Sequence, residues 1–172
     1  MGLVYYESPI GYVEIHATDD CVTKIRIQDH ITEPENNPHL QILIDAKLQI
    51  KEYFQGTRKN FDFKYENKGT PFRQAVWREL EKVVYGTTAT YKSIGLAMGN
   101  PKAVRAIGGA NHHNNIWLVV PCHRIIGSNG KLVGYGGGLW RKEWLLAHEK
   151  QMCHYAQQSG IEHEAYTCLM PE

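Results

Sequence analysis

The chain has 172 residues, 42% of them apolar, enough to bury the core of one domain or two small ones. Its net charge of +1 conceals an uneven spread: residues 1–70 carry 8 Lys/Arg against 11 Asp/Glu, residues 71–150 carry 11 against 4, and residues 151–172 carry 0 against 3. No apolar run approaches the roughly 18 residues of a membrane span and the start lacks the features of a signal peptide; the cysteines at 21, 122, 153 and 168 have no paired spacing and are expected to be reduced thiols in a cytoplasmic protein.

Residues 3–7, 11–17 and 21–28 are β-rich runs separated by Ser8-Pro9-Ile10-Gly11 and Thr18-Asp19-Asp20, which predicts an opening meander. Residues 29–37 form a polar loop. A helix is predicted from Pro38, with Leu40, Leu43, Ile44, Leu48, Ile50 and Phe54 as its apolar side and Gly56 as its stop. Phe61-Asp62-Phe63-Lys64-Tyr65 alternates as one more strand. No chemistry clusters in this part, and scaffolding is its expected role.

Thr70-Pro71 opens a second predicted helix, with Phe72, Val76, Leu80 and Val83/Val84 along one side and Gly86 after it. A short helix over 91–98, ended by Gly99, and another from Lys102 to about Asn111, opened by Asn100-Pro101, form a helix-turn-helix pattern. The second helix carries small residues, Ala103, Ala106 and Ala110 with Gly108 and Gly109, and one long basic side chain, Arg105. A helix that reads base edges in the major groove would offer Asn, Gln and Arg instead. The small face suits either shape-based approach to the minor groove with Arg105 in the base stack, or tight packing on another helix. The basic balance of the middle segment likewise attracts a polyanion or forms a solvated face.

Asn111-His112-His113-Asn114-Asn115 follows. Two adjacent histidines without a third partner at ligand spacing are a weak metal signal, so no metal is expected. Asn114 suits a bracing role, since asparagine in a tight connection bonds nearby backbone. Residues 116–120 are apolar and predict a buried strand stopped by Pro121. Cys122 then lies just past a strand end, with His123 beside it and Arg124 next. A thiol with a free pKa of about 8.5 becomes a nucleophile at neutral pH when imidazole or cationic groups favour the thiolate. A turn at Pro121 lets Cys122 and His123 share one site through a water.

Residues 125–138 hold Gly127, Gly130, Gly134, Gly136, Gly137 and Gly138 around Tyr135, with no Gly-Lys-Ser/Thr after them. This is no nucleotide P-loop; it reads as a loop closing over a flat ligand. A helix over 139–150 turns Trp144, Leu145 and Leu146 inward, and its Glu149 is either an orienter for His123 or an ordinary surface carboxylate. In the tail, Cys153, His154, His163 and Cys168 match no zinc-finger spacing, and a frayed acidic segment is expected.

With Tyr91, Arg105, Asn114, Pro121-Cys122-His123-Arg124, Tyr135, Gly137-Gly138-Leu139 and Glu143-Trp144-Leu145-Leu146 assembled, the chain resembles the O6-alkylguanine-DNA alkyltransferases, closely over about residues 70–150 and in outline over 1–65. The resemblance implies an α+β fold: an RNase H-like α/β domain over 1–68, a mainly helical, winged-helix-like domain with a helix-turn-helix over 69–150, and a flexible tail over 151–172. It implies a DNA repair protein that moves the alkyl group of O6-alkylguanine onto its own Cys122, once and irreversibly, after flipping the base. His123 would take the thiol proton through a water, Glu149 would orient His123, Asn114 would brace the turn, and Tyr91 would rotate the nucleotide and protonate the departing guanine. Arg105 would fill the space left by the base, with Lys102, Ala103, Ala106, Gly108 and Arg124 at the DNA. Tyr135, Gly136, Gly137, Val133 and Trp117 would line the base pocket. Gly136 replaces a hydroxyl residue frequent in relatives, which would lower the rate, and Trp117 is bulkier than usual, which would narrow the pocket toward methyl. The implied partner is double-stranded DNA carrying alkylated guanine, met by a monomer at the nucleoid, or in a nucleus if the cell has one, with no cofactor, metal or membrane. The readings set against this one are a non-catalytic lesion-binding protein of the same fold, a Cys-His hydrolase, and a sequence-specific helix-turn-helix regulator.

Overall fold

The computed structural model describes residues 1–159. The meander is present as β1 (Gly2–Ser8), β2 (Gly11–Ala17) and β3 (Val22–Gln28), antiparallel in that order. The register sets Val4 opposite Ile15 and Ile15 opposite Ile25, so the alternating residues Val4, Val13, Ile15, Ala17, Ile25 and Ile27 enter the core. Across them lies α1 (Gln41–Phe54), burying Leu43, Ala46, Ile50, Tyr53 and Phe54 at helical spacing. Its start differs from the expectation at Pro38. Leu40 N–H bonds the Asn37 carbonyl and closes a turn over Pro38 and His39, and the helix begins after it. Ile44 and Leu48, four positions apart, share a face that points outward, 46% and 52% exposed, while Leu43, Ala46, Ile50 and Tyr53 fill the inward one.

Neither Phe61–Tyr65 nor residues 116–120 forms a strand. Tyr65 and Ile116 each make one parallel bridge to the free edge of β3, at Val22 and Ile25, and leave it at once. In the second case the cause is visible: Leu118 takes φ +72 and Val120 N–H bonds the Ile116 carbonyl, so the segment curls where a strand would extend. Apolar content marked these residues as buried, and burial does not require a ladder.

α2 (Pro71–Glu81) begins as expected, Thr70 Oγ1 accepting from Arg73 N–H, and stops before Val83. β4 (Ala89–Thr90) leads into α3 (Tyr91–Ala97), capped reciprocally by Thr90 and Ser93. Gly99, at φ +71, turns the chain toward α4 (Val104–His112), which starts two residues after Lys102. α4 packs on both α2 and α3, burying Ile107 and Ala110, and the Trp77 indole N–H donates to the Ala110 carbonyl at 2.9 Å. The packing side of the small-residue helix is thus distinct from its open side, where Arg105, Ala106 and Gly109 are exposed.

A single 3₁₀ turn, Cys122–Arg124, feeds β5 (Ile125–Ile126), which pairs in parallel with β4. The last element among the described residues, α5 (Leu139–Gln158), lies against that turn. It carries helix through residues 151–158, so that part of the expected loose tail is ordered; His163 and Cys168 lie outside the described residues. Cys21 and Cys122 are free thiols, whereas Cys153 is disulfide-bonded, against the expectation of reduced thiols throughout; residue spacing does not report which sulfurs approach. One apolar core runs from the sheet through α1 and α2 to Ile116, Leu118, Val120 and Leu145. Among the described residues no helix is long and apolar enough to cross a membrane.

Candidate active site

The curl after α4 is built on one side chain. Asn114, fully buried, donates through Nδ2 to the Val120 carbonyl at 2.8 Å, while its Oδ1 accepts from Ile116 N–H and Asn67 Nδ2, each at 2.9 Å. These bonds pin both ends of residues 114–120 together. Pro121 and the Cys122 N–H to Val120 carbonyl bond then bend the chain sharply, and Cys122 opens the 3₁₀ turn. Asn67, which carried no signal of its own in the sequence, completes this set of bonds around Asn114.

Behind Cys122, His123 is fully buried and its Nε2 lies 2.7 Å from Glu149 Oε1. An ionised carboxylate only accepts, so Nε2 bears the hydrogen and Nδ1 presents a lone pair; Nδ1 is buried and has no partner among the described residues. Burial pushes the imidazole down, outweighing the pull of Glu149, and His123 is neutral at neutral pH. Burial alone would push Glu149 up, yet His123 and Arg124 drive it well below the usual carboxylate range. Glu149 is therefore no surface carboxylate.

Arg124 does not face DNA. Its Nε and Nη2 fork onto the two Glu149 oxygens at 2.9 and 3.0 Å, its Nη1 donates to the Val83 carbonyl at 2.7 Å, and the residue is 6% exposed. The side chain that sequence placed at the nucleic acid neutralises a buried carboxylate, which costs far less than leaving that charge alone.

On its open side Cys122 meets a cavity of about 260 Å³ lined also by Tyr91, Asn111, Trp117, Val133, Tyr135 and Gly136. Gly108 and His112 of α4 reach its rim, so the cavity opens beside the helix-turn-helix. Burial pushes the Cys122 thiol up, with Asn114, Lys142 and Arg26 pulling it back only in part. Burial thus outweighs the neighbours that favour the thiolate, and the thiol proton must leave at the moment of attack. Tyr91, held protonated by burial, donates to the Val133 carbonyl at 3.3 Å and receives Asn111 Nδ2 at 3.5 Å. Asn111 also donates to the Cys122 carbonyl at 3.3 Å, a tie between α4 and the nucleophile that its place beside two histidines concealed.

The two unusual residues of the pocket are one feature. A Cβ at Gly136 would lie 2.7 Å from Trp117 Cζ2, and one at Gly137 would lie 3.0 Å from Cζ3, so the indole fits only beneath bare backbone. Its N–H donates to the Asn114 carbonyl at 2.9 Å, its ring centroid is 5.0 Å from that of Tyr135, and Arg26 sits over it at 5.2 Å. Gly137 is buried behind this wall and does not line the cavity.

Two buried cations that sequence gave no reason to single out hold the glycine loop. The Lys142 ammonium donates to the carbonyls of Ile125, Val133 (3.0 Å) and Gly134 (3.4 Å), and burial pushes it down to about 8. Arg141 joins the loop to the meander, bonding the carbonyls of Gly137 at 2.9 Å and Ile10 at 2.7 Å and the Asp29 carboxylate at 2.5 Å. On the outer face, Lys102, Arg105 and Ala106 are exposed and Ala103 half-buried, and a Cβ added at Gly108 or Gly109 would meet no neighbour, so backbone can approach a partner closely there. His113 is engaged locally, its Nδ1 2.7 Å from the Gly109 carbonyl.

Comparison with known proteins gives a consistent answer over nearly the whole chain. Residues 71–151 match the model of the 6-O-methylguanine DNA methyltransferase DNA binding domain, and residues 3–66 match its ribonuclease-like domain. A methylated-DNA–protein-cysteine methyltransferase of Methanosarcina barkeri is 47% identical over 157 residues, covering 86% of this chain and 98% of its own. One from Mycolicibacterium paratuberculosis is 43% identical over 150 residues, covering 84% and 90%. The crystal structure of Mycobacterium tuberculosis O6-methylguanine methyltransferase superposes with a TM-score of 0.77 at 39% identity, covering 87% of this chain and 93% of that one. A Mycobacterium tuberculosis OGT crystallised in complex with DNA superposes at 0.79 with 40% identity, covering 86% and 92%.

Proposed function

The chain belongs to the 6-O-methylguanine DNA methyltransferase family, and we propose that it repairs DNA by moving the methyl group of O6-methylguanine onto the sulfur of Cys122. Residues 1–68 act as scaffold and residues 69–150, extended by α5, bind DNA and carry the transfer. The duplex docks on the open face of α4, with Lys102, Ala103, Ala106 and Gly108 along the backbone. The lesion leaves the stack, because its alkyl carbon is out of reach inside a duplex, and Arg105 fills the gap. The extruded base enters the cavity between Tyr135, Trp117 and Val133.

The sulfur–carbon bond then forms as the carbon–oxygen bond to guanine breaks. The thiol proton passes through a water to His123 Nδ1, with Glu149 holding the imidazole in the one tautomer that can receive it. Guanine leaves with the electron pair of the broken bond and takes a proton from the Tyr91 hydroxyl, which the relay's proton restores through solvent. The thioether has no good leaving group, so each molecule reacts once. The methyl group arrives on the lesion, and no cofactor is needed. The protein works as a monomer on double-stranded DNA, at the nucleoid of the cytoplasm or in a nucleus.

What supports this reading most directly is a thiol at the wall of a cavity, followed in the chain by a buried imidazole that Glu149 holds in the tautomer able to accept a proton at Nδ1. Intact-protein mass spectrometry after incubation with methylated duplex tests it. A gain of one CH₂ on the Cys122 peptide, absent in Cys122→Ala although that variant still binds the duplex, is expected. Binding with no mass gain in the unsubstituted protein would leave only lesion recognition.

A further inference from the structure

Glu149 collects more donors than its task of orienting His123 requires. Oε2 accepts from Arg124 Nε at 2.9 Å and from Gly86 N–H at 3.2 Å. Oε1 accepts from Arg124 Nη2 at 3.0 Å, from His123 Nε2 at 2.7 Å, and from the hydroxyl of Tyr53 at 2.7 Å. The last comes from α1, in the half of the chain otherwise read as scaffold. Tyr53 is fully buried, its ring set between Phe54, Tyr85 and His148 and its own carbonyl 2.9 Å from His148 Nε2, so the hydroxyl is held where it is.

The hydroxyl is redundant for two purposes. Arg124 already neutralises the carboxylate, and its fork together with Gly86 already fixes the carboxylate plane. What the hydroxyl adds is a further donor, beside Arg124 Nη2, that shares Oε1 with the N–H of His123. A carboxylate oxygen offers about two lone-pair sites, and three donors crowd onto this one. Electron density drawn toward Tyr53 weakens the hold of Glu149 on the imidazole N–H, and an imidazole less strongly supported by its carboxylate binds a proton less well.

We propose that Tyr53 is a positioning residue for alkyl transfer, acting through Glu149 to hold down the proton affinity of His123 so that Nδ1 stays open for the thiol proton. This rests on the transfer chemistry assigned above to Cys122. The groups facing His123 are Glu149, Arg124 and Lys142; those facing Tyr53 are Glu149, Arg124, Tyr85 and His148. Burial keeps the Cys122 thiol raised and Lys142 near 8, so both titrate on the alkaline side. His148 bonds the Tyr53 carbonyl and not the hydroxyl. The acid limb of the rate profile therefore belongs to His123.

The test is the rate of single-turnover transfer from methylated duplex against pH, for the full chain and two variants. Tyr53→Phe removes only the hydroxyl; the acid limb is expected to move up by about half to one pH unit, since His123 then holds its proton more firmly. Tyr53→3-fluorotyrosine makes the hydroxyl a stronger donor, and the limb is expected to move down. Coincident limbs, movement in the opposite sense, or a uniform fall in rate at every pH would each overturn the inference and leave Tyr53 a packing residue. Should Tyr53→Phe fail to fold, the direction of the fluorotyrosine shift decides alone. No transfer by the unsubstituted protein would instead overturn the functional reading, and this inference with it.

Discussion

Replacing Arg124 with Met separates the two roles that sequence and structure assign to this side chain. Met keeps most of the stem's volume but removes two bonds to Glu149, one to the Val83 carbonyl, and the guanidinium 5.5 Å from the Tyr85 ring. Removing one partner of a buried ion pair costs about 3–5 kcal/mol, because the other charge is left uncompensated. Tyr53, His123 and Gly86 still donate to Glu149, which argues for the lower end, about 3 kcal/mol. At roughly 2–4 °C per kcal/mol for a chain of this size, thermal unfolding at neutral pH should fall by about 6–12 °C. The loss should shrink in acid. Glu149 titrates lower in the folded than in the unfolded protein, so the pair's contribution is complete above the unfolded value near 4.3 and fades as pH falls toward the folded one. Affinity for DNA, measured on the folded variant, should keep its salt dependence. An unchanged melting temperature with weaker DNA binding and a salt slope reduced by about 1 would refute the buried-pair argument.

Gly136→Ala drives a methyl group into the Trp117 indole and should cost about 1–3 kcal/mol in thermal unfolding. Pairing it with Trp117→Phe should cost less than the two single losses summed, and simple additivity would show that the two residues are not one feature. Arg105→Ala should slow transfer from methylated duplex more than transfer from the free base; equal slowing of both would remove Arg105 from the base stack. Benzyl transfer from O6-benzylguanine oligonucleotides should be slower than methyl transfer, because Trp117 fills the pocket wall, and equal rates would refute the narrowing.

The N-terminal half reaches into the site repeatedly, beginning with Asn67 at the Asn114 brace. Tyr53 touches the relay, Arg26 covers Trp117, and Asp29 with the Ile10 carbonyl holds the arginine that anchors the glycine loop. A segment without clustered chemistry of its own thus contributes geometry to chemistry carried elsewhere. Scaffold describes its composition better than its effect.

Much of the site was legible because its signals are local. Pro121 before Cys122, His123 after it, and the helix-turn-helix upstream lie within a short span of chain, where residue type and spacing carry the meaning. The cap at Thr70, the turn at Gly99 and the meander were readable for the same reason, since each depends on neighbours in sequence. Long-range partners decided the rest. Whether Arg124 faced DNA or a carboxylate depended on Glu149 arriving from α5, and whether 116–120 extended or curled depended on Asn114 and the edge of β3. The thiol proton of Cys122 is held more firmly because the residue is buried, and Gly136 is paired with Trp117, 19 positions away, because a Cβ there would lie 2.7 Å from the indole. Sequence alone determined which groups were available to react, because that is a matter of covalent chemistry. Only the tertiary structure decided which of them are desolvated, paired or open, because those properties belong to the space between distant parts of the chain.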